Sequence, residues 1–212
     1  MAGLDSRKIR LIMEMRRAGV HDRRIIAAIE QTPRELFVPE AFRDRAYDMT
    51  ALPIGCSQTV TDPLEIARTC QALAPAANSR MLEIGTGSGY QASILARICR
   101  RIYTIERFRS LLAEAETRFV EQKLFNVVCK VSDGARGWPE QAPFDCIVVS
   151  AAAEDIPPLL ADQLKVGGVM LVPVGDTPVD QQMIRVTRTG DGFETEELWP
   201  TRFVPLTEGT AP

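Results

Sequence analysis

The sequence predicts an α/β protein built around a doubly wound, mostly parallel sheet, with a helical addition before the sheet and an antiparallel hairpin at its end. Two patterns carry this prediction. From Arg80 onward, short apolar runs alternate with stretches of helical period, which is typical of parallel strands covered by helices on both faces. From Gln181 onward, polar and apolar residues alternate in two runs joined by Gly190-Asp191-Gly192, which is typical of a hairpin.

The bounds of the core elements follow from where each period starts and stops. Apolar runs predict five core strands, at 80–84, 101–105, 126–131, 144–150 and 168–174. Helical periods predict three core helices, at 90–100, 108–123 and 156–164. The two arms of the hairpin are expected at 181–188 and 194–203, so the sheet should finish with an antiparallel pair.

The N-terminal part is expected to be helical except for one long loop. Helices are predicted at 7–17, at 23–31 after the capping residue Asp22, and at 63–73. The segment 47–62 has no helical period and contains proline, glycine and several hydroxyl residues. We therefore expect an ordered loop there rather than a linker.

Composition excludes several classes of protein. The chain has 212 residues, 45% of them hydrophobic and 25% charged, with a net charge of −3, so neither a nucleic-acid nor a membrane partner is predicted. Its five cysteines are scattered without a C-x-x-C pair, which disfavours a disulfide framework and a zinc site, and no metal is expected. The start lacks the apolar region of a secretion signal, and a cytoplasmic location is expected.

The most informative stretch is 81–89, where a buried-strand pattern leads into three glycines at alternate positions, Gly85, Gly87 and Gly89. A helical period follows from Tyr90. Glycines at a strand-to-helix turn let the backbone approach a ligand and leave amide N–H groups at the positive end of the helix. The dinucleotide fingerprint would require glycine at Tyr90, and no P-loop occurs, so a cofactor without phosphate is favoured.

Three acidic residues follow successive apolar runs, and we expect them at strand ends in register. Glu83 would repel a phosphate but suits a positively charged ligand, such as S-adenosylmethionine with its ammonium and sulfonium groups. Glu106 is expected to accept from both ribose hydroxyls, and Asp133 from the adenine amino group. The glycines alone are also compatible with a simple tight turn; the three acids favour a cofactor site. The expected cofactor-binding residues of the core are Glu83, Gly85, Thr86, Gly87, Gly89, Glu106, Asp133 and Gly134.

Motifs on both sides of this core make the chain resemble the protein-L-isoaspartate (D-aspartate) O-methyltransferase family over nearly its whole length. The glycine motif is shared by many methyltransferases, whereas Phe37-Val38-Pro39 and the segment 55–61 are much more specific. The resemblance implies a Rossmann-like methyltransferase sheet that uses S-adenosyl-L-methionine as co-substrate. It also implies methylation of the free carboxylate of L-isoaspartyl residues in damaged proteins, which initiates their repair; acceptance of D-aspartyl residues stays open.

The resemblance further implies partners and a division of the chain. The expected partners are isoaspartyl-containing peptides and proteins, and a monomer is expected. The whole chain, 1–212, is expected to form one methyltransferase domain with three parts. These are an N-terminal helical subdomain with the active-site loop at 1–73, a cofactor-binding core at 80–175, and a hairpin with a tail at 176–212.

The family's signature loop, Gly-Gln-Thr-Ile-Ser, aligns with 57–61 and implies the active-site residues. The serine hydroxyl of the family corresponds to Thr61, which is therefore the expected catalytic residue. Ser57 stands in place of the glycine. The backbone amides of Thr59 and Val60 are expected to hold the cofactor or the peptide, with Gln58 beside them. Near the C-terminus, the resemblance places Thr207 in the active site.

Two questions stay open at this point. Thr61 or Asp62 could simply cap the helix that begins at Pro63. Asp62, where the family usually carries a neutral residue, would repel a substrate carboxylate if it pointed at it. The alternatives to isoaspartyl methylation are thus a methyltransferase of the same fold acting on a different peptide or small-molecule carboxylate, and a catalytically silent cofactor-binding protein. The only histidine, His21, is expected at the surface or in a cap.

Overall fold

The computed structural model describes residues 6–177 and 179–211. The expected single domain also includes residues 1–5, Pro178 and Pro212, which lie outside the described residues. The helices are α1 (Ser6–Arg17), α2 (Arg23–Glu30), α3 (Pro63–Leu73), α4 (Tyr90–Ala96), α5 (Arg109–Glu121) and α6 (Pro158–Ala161). The strands are β1 (Leu52–Pro53), β2 (Thr59–Val60), β3 (Arg80–Ile84), β4 (Arg101–Glu106), β5 (Val127–Val131), β6 (Phe144–Val149), β7 (Leu164–Val174), β8 (Gln182–Arg188) and β9 (Phe193–Pro200).

Seven of these strands form the central sheet in the order β5-β4-β3-β6-β7-β8-β9. The pairs from β5 to β7 are parallel, and β7-β8 and β8-β9 are antiparallel, which confirms the predicted fold class with its C-terminal hairpin. From β3 the chain builds outward through β4 and β5, then returns to the other side of β3 with β6. The carboxyl ends of β3 and β6 therefore flank a switch point, where ligands bind in open α/β sheets.

Apolar residues bury both faces of this sheet. One face carries Met81, Ile102 and Cys146 and packs against the helical addition formed by α1 to α3, together with α4 and α5. The other face carries Leu82 and Ile147 and packs against α6 and its flanking turns. The longest helix of the described ranges, α5 with 13 residues, falls short of the length that spans a membrane.

Several element bounds differ from the predictions. The predicted helix 90–100 stops at Ala96, because the Asn126 side-chain amide donates to the carbonyls of Ala96, at 2.8 Å, and Cys99, at 3.2 Å, and so ends the turn. The predicted helix 156–164 is reduced to α6, because Leu164 already pairs with Phe144 and begins β7. The predicted loop 47–62 contains the short hairpin β1–β2. The second arm of the C-terminal hairpin ends at Pro200 rather than at 203.

Candidate active site

A cavity of about 530 Å³ lies where the carboxyl ends of β3, β4 and β6 meet. The sheet edge contributes residues 84–88 and 105–108, with Gly134 and Ser150 beside them. The loop above it contributes residues 58–62, and the first turns of α3 contribute Leu64, Glu65 and Arg68. Residues 200–207, from the last residue of β9 onward, form the remaining wall. The cavity thus joins three parts of the chain that are far apart in sequence.

Two of the three motif glycines line the cavity. Gly85 and Gly87 have φ angles of +90° and +52°, a conformation that favours glycine. Gly89, at φ +86°, does not line the cavity. A Cβ atom at Gly89 would lie 2.9 Å from the Phe119 ring, so this glycine lets α4 pack against α5. The structure thus brings Gly85 and Gly87, but not Gly89, to the predicted cofactor crevice.

Glu106, the last residue of β4, lines the cavity and fixes the glycine loop. Its Oε2 accepts from the amide of Gly87 at 2.8 Å, and its Oε1 accepts from the amides of Arg107, at 2.8 Å, and Phe108, at 3.1 Å. Three backbone donors therefore set the orientation of one carboxylate. Because the Gly87 amide is already bonded to Glu106, the loop does not offer that amide to a phosphate.

The prediction that three strand-end acids stand in register is wrong for Glu83. This residue lies inside β3 and pairs with Thr104, two residues before Glu106. Its side chain is fully buried and does not line the cavity; Oε2 accepts from Thr104 Oγ1 at 2.6 Å and Oε1 accepts from Gln91 Nε2 at 3.3 Å. Burial, partly offset by these bonds, raises the pKa of Glu83 to about 8. The Thr104 hydroxyl also lies 2.6 Å from that of Thr86, which lines the cavity, so Glu83 reaches the cavity only through two hydroxyls.

Of the two neighbours Asp133 and Gly134, both predicted to bind the cofactor, only Gly134 lines the cavity. The Asp133 carboxylate caps a short 3-10 helix, Gly134–Arg136, by accepting from the amide of Ala135 at 3.0 Å. Asp133 is half-buried and does not line the cavity, whereas Gly134 does. A Cβ atom at Gly134 would lie 2.5 Å from Cγ2 of Ile84, so only glycine fits this close approach to β3.

The structure assigns the capping role at the start of α3 to Asp62 rather than to Thr61. Asp62 Oδ1 accepts from the amide of Leu64 at 2.7 Å, and Pro63 occupies the first helical position. Thr61 lines the cavity, and its hydroxyl has no hydrogen-bond partner among the residues that the structure describes. Asp62 also lines the cavity, so the residue that caps α3 is part of the cavity wall.

The loop residues Gln58, Thr59 and Val60 line the cavity from above, as does Thr207 from the opposite wall. Gln58 begins the return arm of the β1–β2 hairpin, where its carbonyl accepts from the amide of Ile54 at 2.9 Å. The Thr207 hydroxyl makes only a long contact, 3.4 Å, with the carbonyl of Pro205, and its side chain is exposed. All four predicted positions therefore meet around one space.

Sequence reasoning missed two side chains that shape the wall after β9. Gln181 clamps Phe203: its Oε1 accepts from the Phe203 amide at 2.6 Å and its Nε2 donates to the Phe203 carbonyl at 3.2 Å. Glu65 Oε1 accepts from Trp199 Nε1 and Thr201 Oγ1, each at 2.9 Å, and burial raises the pKa of Glu65. In sequence, Glu65 resembles any first-turn helix acid, so no local signal could reveal this contact.

A parallel α/β sheet whose switch-point crevice carries a glycine loop and a strand-end carboxylate defines a nucleotide-cofactor-binding protein of the Rossmann-like class. The sequence model of the protein-L-isoaspartate(D-aspartate) O-methyltransferase family matches residues 6–211, and the chain belongs to this family. The family resemblance found in the sequence is thereby confirmed.

Relatives and solved structures agree with this assignment. The chain is 55% identical to the protein-L-isoaspartate O-methyltransferase of Paramagnetospirillum magneticum over 210 residues, covering 99% of this chain and 98% of the relative. It is 54% identical to that of Rhodospirillum rubrum over 98% of this chain and 95% of the relative. A Plasmodium falciparum protein described as a protein-L-isoaspartate O-methyltransferase, solved with S-adenosyl-L-homocysteine, has the same fold, with a TM-score of 0.82 and 21% identity over 96% of this chain and 99% of the other.

Proposed function

We propose that this protein transfers a methyl group from S-adenosyl-L-methionine to the free carboxylate of L-isoaspartyl residues in peptides and proteins. The observation that carries the proposal is the single cavity shared by the glycine loop, Glu106 and Thr61. Its sheet-edge side suits the methyl donor, and its loop side places a free hydroxyl next to the same space. Membership in the protein-L-isoaspartate(D-aspartate) O-methyltransferase family supports this substrate class.

The residues of the cavity fit the methyl donor. A volume of about 530 Å³ is within the usual range for small-molecule sites. Gly87 donates its amide to Glu106, which disfavours phosphate, and the Glu106 carboxylate suits hydroxyl or ammonium donors. We propose that the donor is held by Gln58, Thr59, Val60, Gly85, Thr86, Gly87, Glu106, Gly134 and Thr207. Asp133 supports this site by capping the 3-10 helix that begins at Gly134.

The chain's residues supply alignment rather than acid–base chemistry. S-adenosylmethionine supplies an electrophilic methyl group on its sulfonium. An acceptor carboxylate has an ordinary pKa of about 4 and is already ionised at neutral pH, so no general base is required. His21, the only histidine, lies outside the cavity. Thr61 donates a hydrogen bond that orients the acceptor carboxylate. Holding donor and acceptor together in line, to which the whole cavity contributes, can lower a barrier by about 7–11 kcal/mol.

The test is transfer of labelled methyl groups to an isoaspartyl peptide and to its aspartyl twin of the same sequence. We expect labelling of the isoaspartyl peptide alone. Equal labelling of the two peptides, or labelling of neither, would contradict the proposal. A D-aspartyl version of the same peptide shows whether that residue is accepted as well.

Asp62 lines the cavity at a position where the family usually carries a neutral residue, and this departure favours a second candidate, methylation of a different carboxylate-bearing acceptor. Asp62→Asn keeps the helix cap, because asparagine is an equally good capping residue, and removes the charge. If negative charge at Asp62 selects against the isoaspartyl carboxylate, the variant should gain isoaspartyl activity. Rapid isoaspartyl turnover by the unaltered protein would exclude this candidate.

A further inference from the structure

Arg34 is the most unusual buried group outside the residues discussed so far. It opens the 3-10 helix Arg34–Leu36 and its side chain has no exposed surface. Its guanidinium forms no ion pair among the described residues, so no carboxylate directly balances the charge there. A buried cation without a bound anion is costly unless hydrogen bonds satisfy it. The hydrogen-bond partners of the guanidinium therefore indicate which part of the structure Arg34 holds in place.

Both terminal nitrogens of the guanidinium donate to carbonyl oxygens of the active-site loop, whereas the buried Nε has no hydrogen-bond partner among the described residues. Nη1 donates to the carbonyl of Ala46 at 2.7 Å and contacts that of Asp48 at 3.5 Å. Nη2 donates to the carbonyls of Thr50 at 3.1 Å and Thr61 at 2.9 Å. A fifth contact, 3.4 Å long, reaches the carbonyl of Val60. Residues 46–50 and 60–61 lie on opposite sides of the β1–β2 hairpin, so one side chain ties both ends of the loop together.

The guanidinium also packs against Tyr90, at the start of α4. Its central carbon lies 5.7 Å from the centre of the Tyr90 ring, and that ring lies 5.2 Å from the ring of Phe37. Tyr90 is the first residue of α4, directly after the glycine loop. Arg34 therefore lies between the loop that carries Thr61 and the element that follows the glycines.

We propose that Arg34 is a positioning residue for methyl transfer: through the Thr61 carbonyl it fixes where the Thr61 hydroxyl stands in the cavity. This inference rests on the proposed function of Thr61. Arg34 does not line the cavity and does not touch the reacting groups. Lysine cannot replace it, because a single ammonium carries three donors on one nitrogen and cannot bridge two chain segments as a planar guanidinium does.

The variants Arg34→Lys and Arg34→Met test the inference, with Arg97→Lys as the matched control. Arg97 is half-buried and donates to Thr32 Oγ1, at 3.0 Å, and Gln122 Oε1, at 3.1 Å, away from the cavity. Calorimetric titration with S-adenosylhomocysteine gives the competent fraction and the affinity of each variant. Turnover is then expressed per competent molecule.

We expect Arg34→Lys to lower kcat for an isoaspartyl peptide by about 10- to 30-fold, no more than the loss expected for Thr61→Val, because misplacement of the hydroxyl removes the same hydrogen bond. The affinity for S-adenosylhomocysteine should fall less, by about 5-fold at most, since the glycine loop is hydrogen-bonded to Glu106 and not to Arg34. Arg97→Lys should change kcat by less than about 2-fold. Equal losses of kcat in Arg34→Lys and Arg97→Lys would overturn the inference. Failure of both Arg34→Lys and Arg34→Met to bind S-adenosylhomocysteine would also overturn it, because Arg34 would then be a general folding residue.

A double-mutant cycle with Thr61→Val separates positioning from general support. If Arg34 acts through Thr61, the effect of Arg34→Lys on kcat should shrink to less than about 3-fold in the Thr61→Val protein. Additive effects, or normal activity of Thr61→Val, would overturn the inference.

Hydrogen exchange distinguishes a failure of this inference from a failure of the proposed function. Without isoaspartyl turnover by the unaltered protein, hydrogen exchange still reports on the loop: the amides of residues 59–61 should exchange faster in Arg34→Lys than in the unaltered protein. Unchanged exchange there would overturn the inference independently of the substrate.

Discussion

The two sides of the cavity are held in place by different means. The sheet-edge side is supported by parallel pairing on both sides of β3 and by Glu106, which takes three backbone donors. The loop side, residues 46–62, has a ladder of only two residue pairs, and one buried guanidinium bonds carbonyl groups on both sides of that hairpin. Backbone pairing thus supports the side proposed to bind the methyl donor, and a side chain supports the side proposed to orient the acceptor.

The largest expected effect concerns the buried acid of the sheet-edge side. The pKa of Glu83 is raised from 4.5 to about 8 by burial, so the folded protein keeps a proton that the unfolded chain has lost. The free energy of unfolding should therefore fall as pH rises from about 4.5 to about 8, by a few kcal/mol, and stay low above that range. Glu83→Gln stays uncharged and should remove this decline. Urea unfolding at several pH values measures it.

Glu121→Gln on the exposed face of α5 is the control for this pH dependence, and its profile should run parallel to that of the unaltered protein. Parallel profiles for Glu83→Gln and the unaltered protein would show that Glu83 keeps no proton on folding. The sheet-edge side would then carry no buried acid that limits its stability.

The next effect should appear in donor binding. Glu106→Gln replaces one of the two accepting carboxylate oxygens with an NH2 group, which cannot accept a hydrogen bond, so at least one backbone N–H near the glycine loop is left unpaired. We expect affinity for S-adenosylhomocysteine to fall about 100-fold, since such losses cost about 3 kcal/mol. Calorimetry measures this affinity, with exposed Glu116→Gln as control. Unchanged binding would mean that the glycine loop holds its shape without Glu106, and the contrast between the two sides would weaken.

On the loop side, the expected effect is on turnover rather than on donor binding. Thr61→Val keeps the shape of the side chain and removes the hydroxyl, so kcat for an isoaspartyl peptide should fall by about 10- to 30-fold, as expected for one hydrogen bond to a charged group. Thr61→Ser restores the hydroxyl and should retain activity. Steady-state kinetics with saturating donor separates kcat from the donor KM. If the donor KM changed and kcat did not, Thr61 would belong to the donor side of the cavity.

The two sides of the cavity also differ in how well the sequence predicts them. The sheet-edge side was predictable, because a strand followed by glycines and an acid after the next strand are local patterns that survive in the fold. Gly85, Gly87 and Glu106 all line the cavity. Glu83 was misplaced, because apolar runs show that a strand exists but not at which residue it ends or which face its acid takes.

The loop side was harder to predict. The resemblance led to Thr61, yet nothing in the local sequence indicates that Arg34 reaches carbonyl groups up to 27 residues ahead of it. The sequence does not decide between Thr61 and Asp62 as the cap of α3, because both residue types are favoured at N-caps. The positions of such residues are set by tertiary contacts that have no period in the sequence.

The smallest expected effect concerns the turn of the loop-side hairpin. Cys56 and Ser57, between β1 and β2, have φ angles of +58° and +56°, and the amide of Gln58 donates to the carbonyl of Gly55 at 3.1 Å. This geometry is a type I′ turn, in which glycine is strongly preferred. Ser57→Gly should therefore raise the free energy of unfolding by about 0.5–1 kcal/mol, seen as a higher urea midpoint at unchanged slope.

Lys123→Gly is the matched control for this turn, because Lys123 has a φ of +58° just after α5 and does not line the cavity. Both glycine variants should gain stability, and neither should lose donor affinity. Of the two variants, only Ser57→Gly changes the loop. If kcat stays unchanged in Ser57→Gly, then the guanidinium of Arg34, and not the turn, sets the position of Thr61. A lower kcat in Ser57→Gly alone would instead show that the loop side depends on the strained turn as much as on the buried cation.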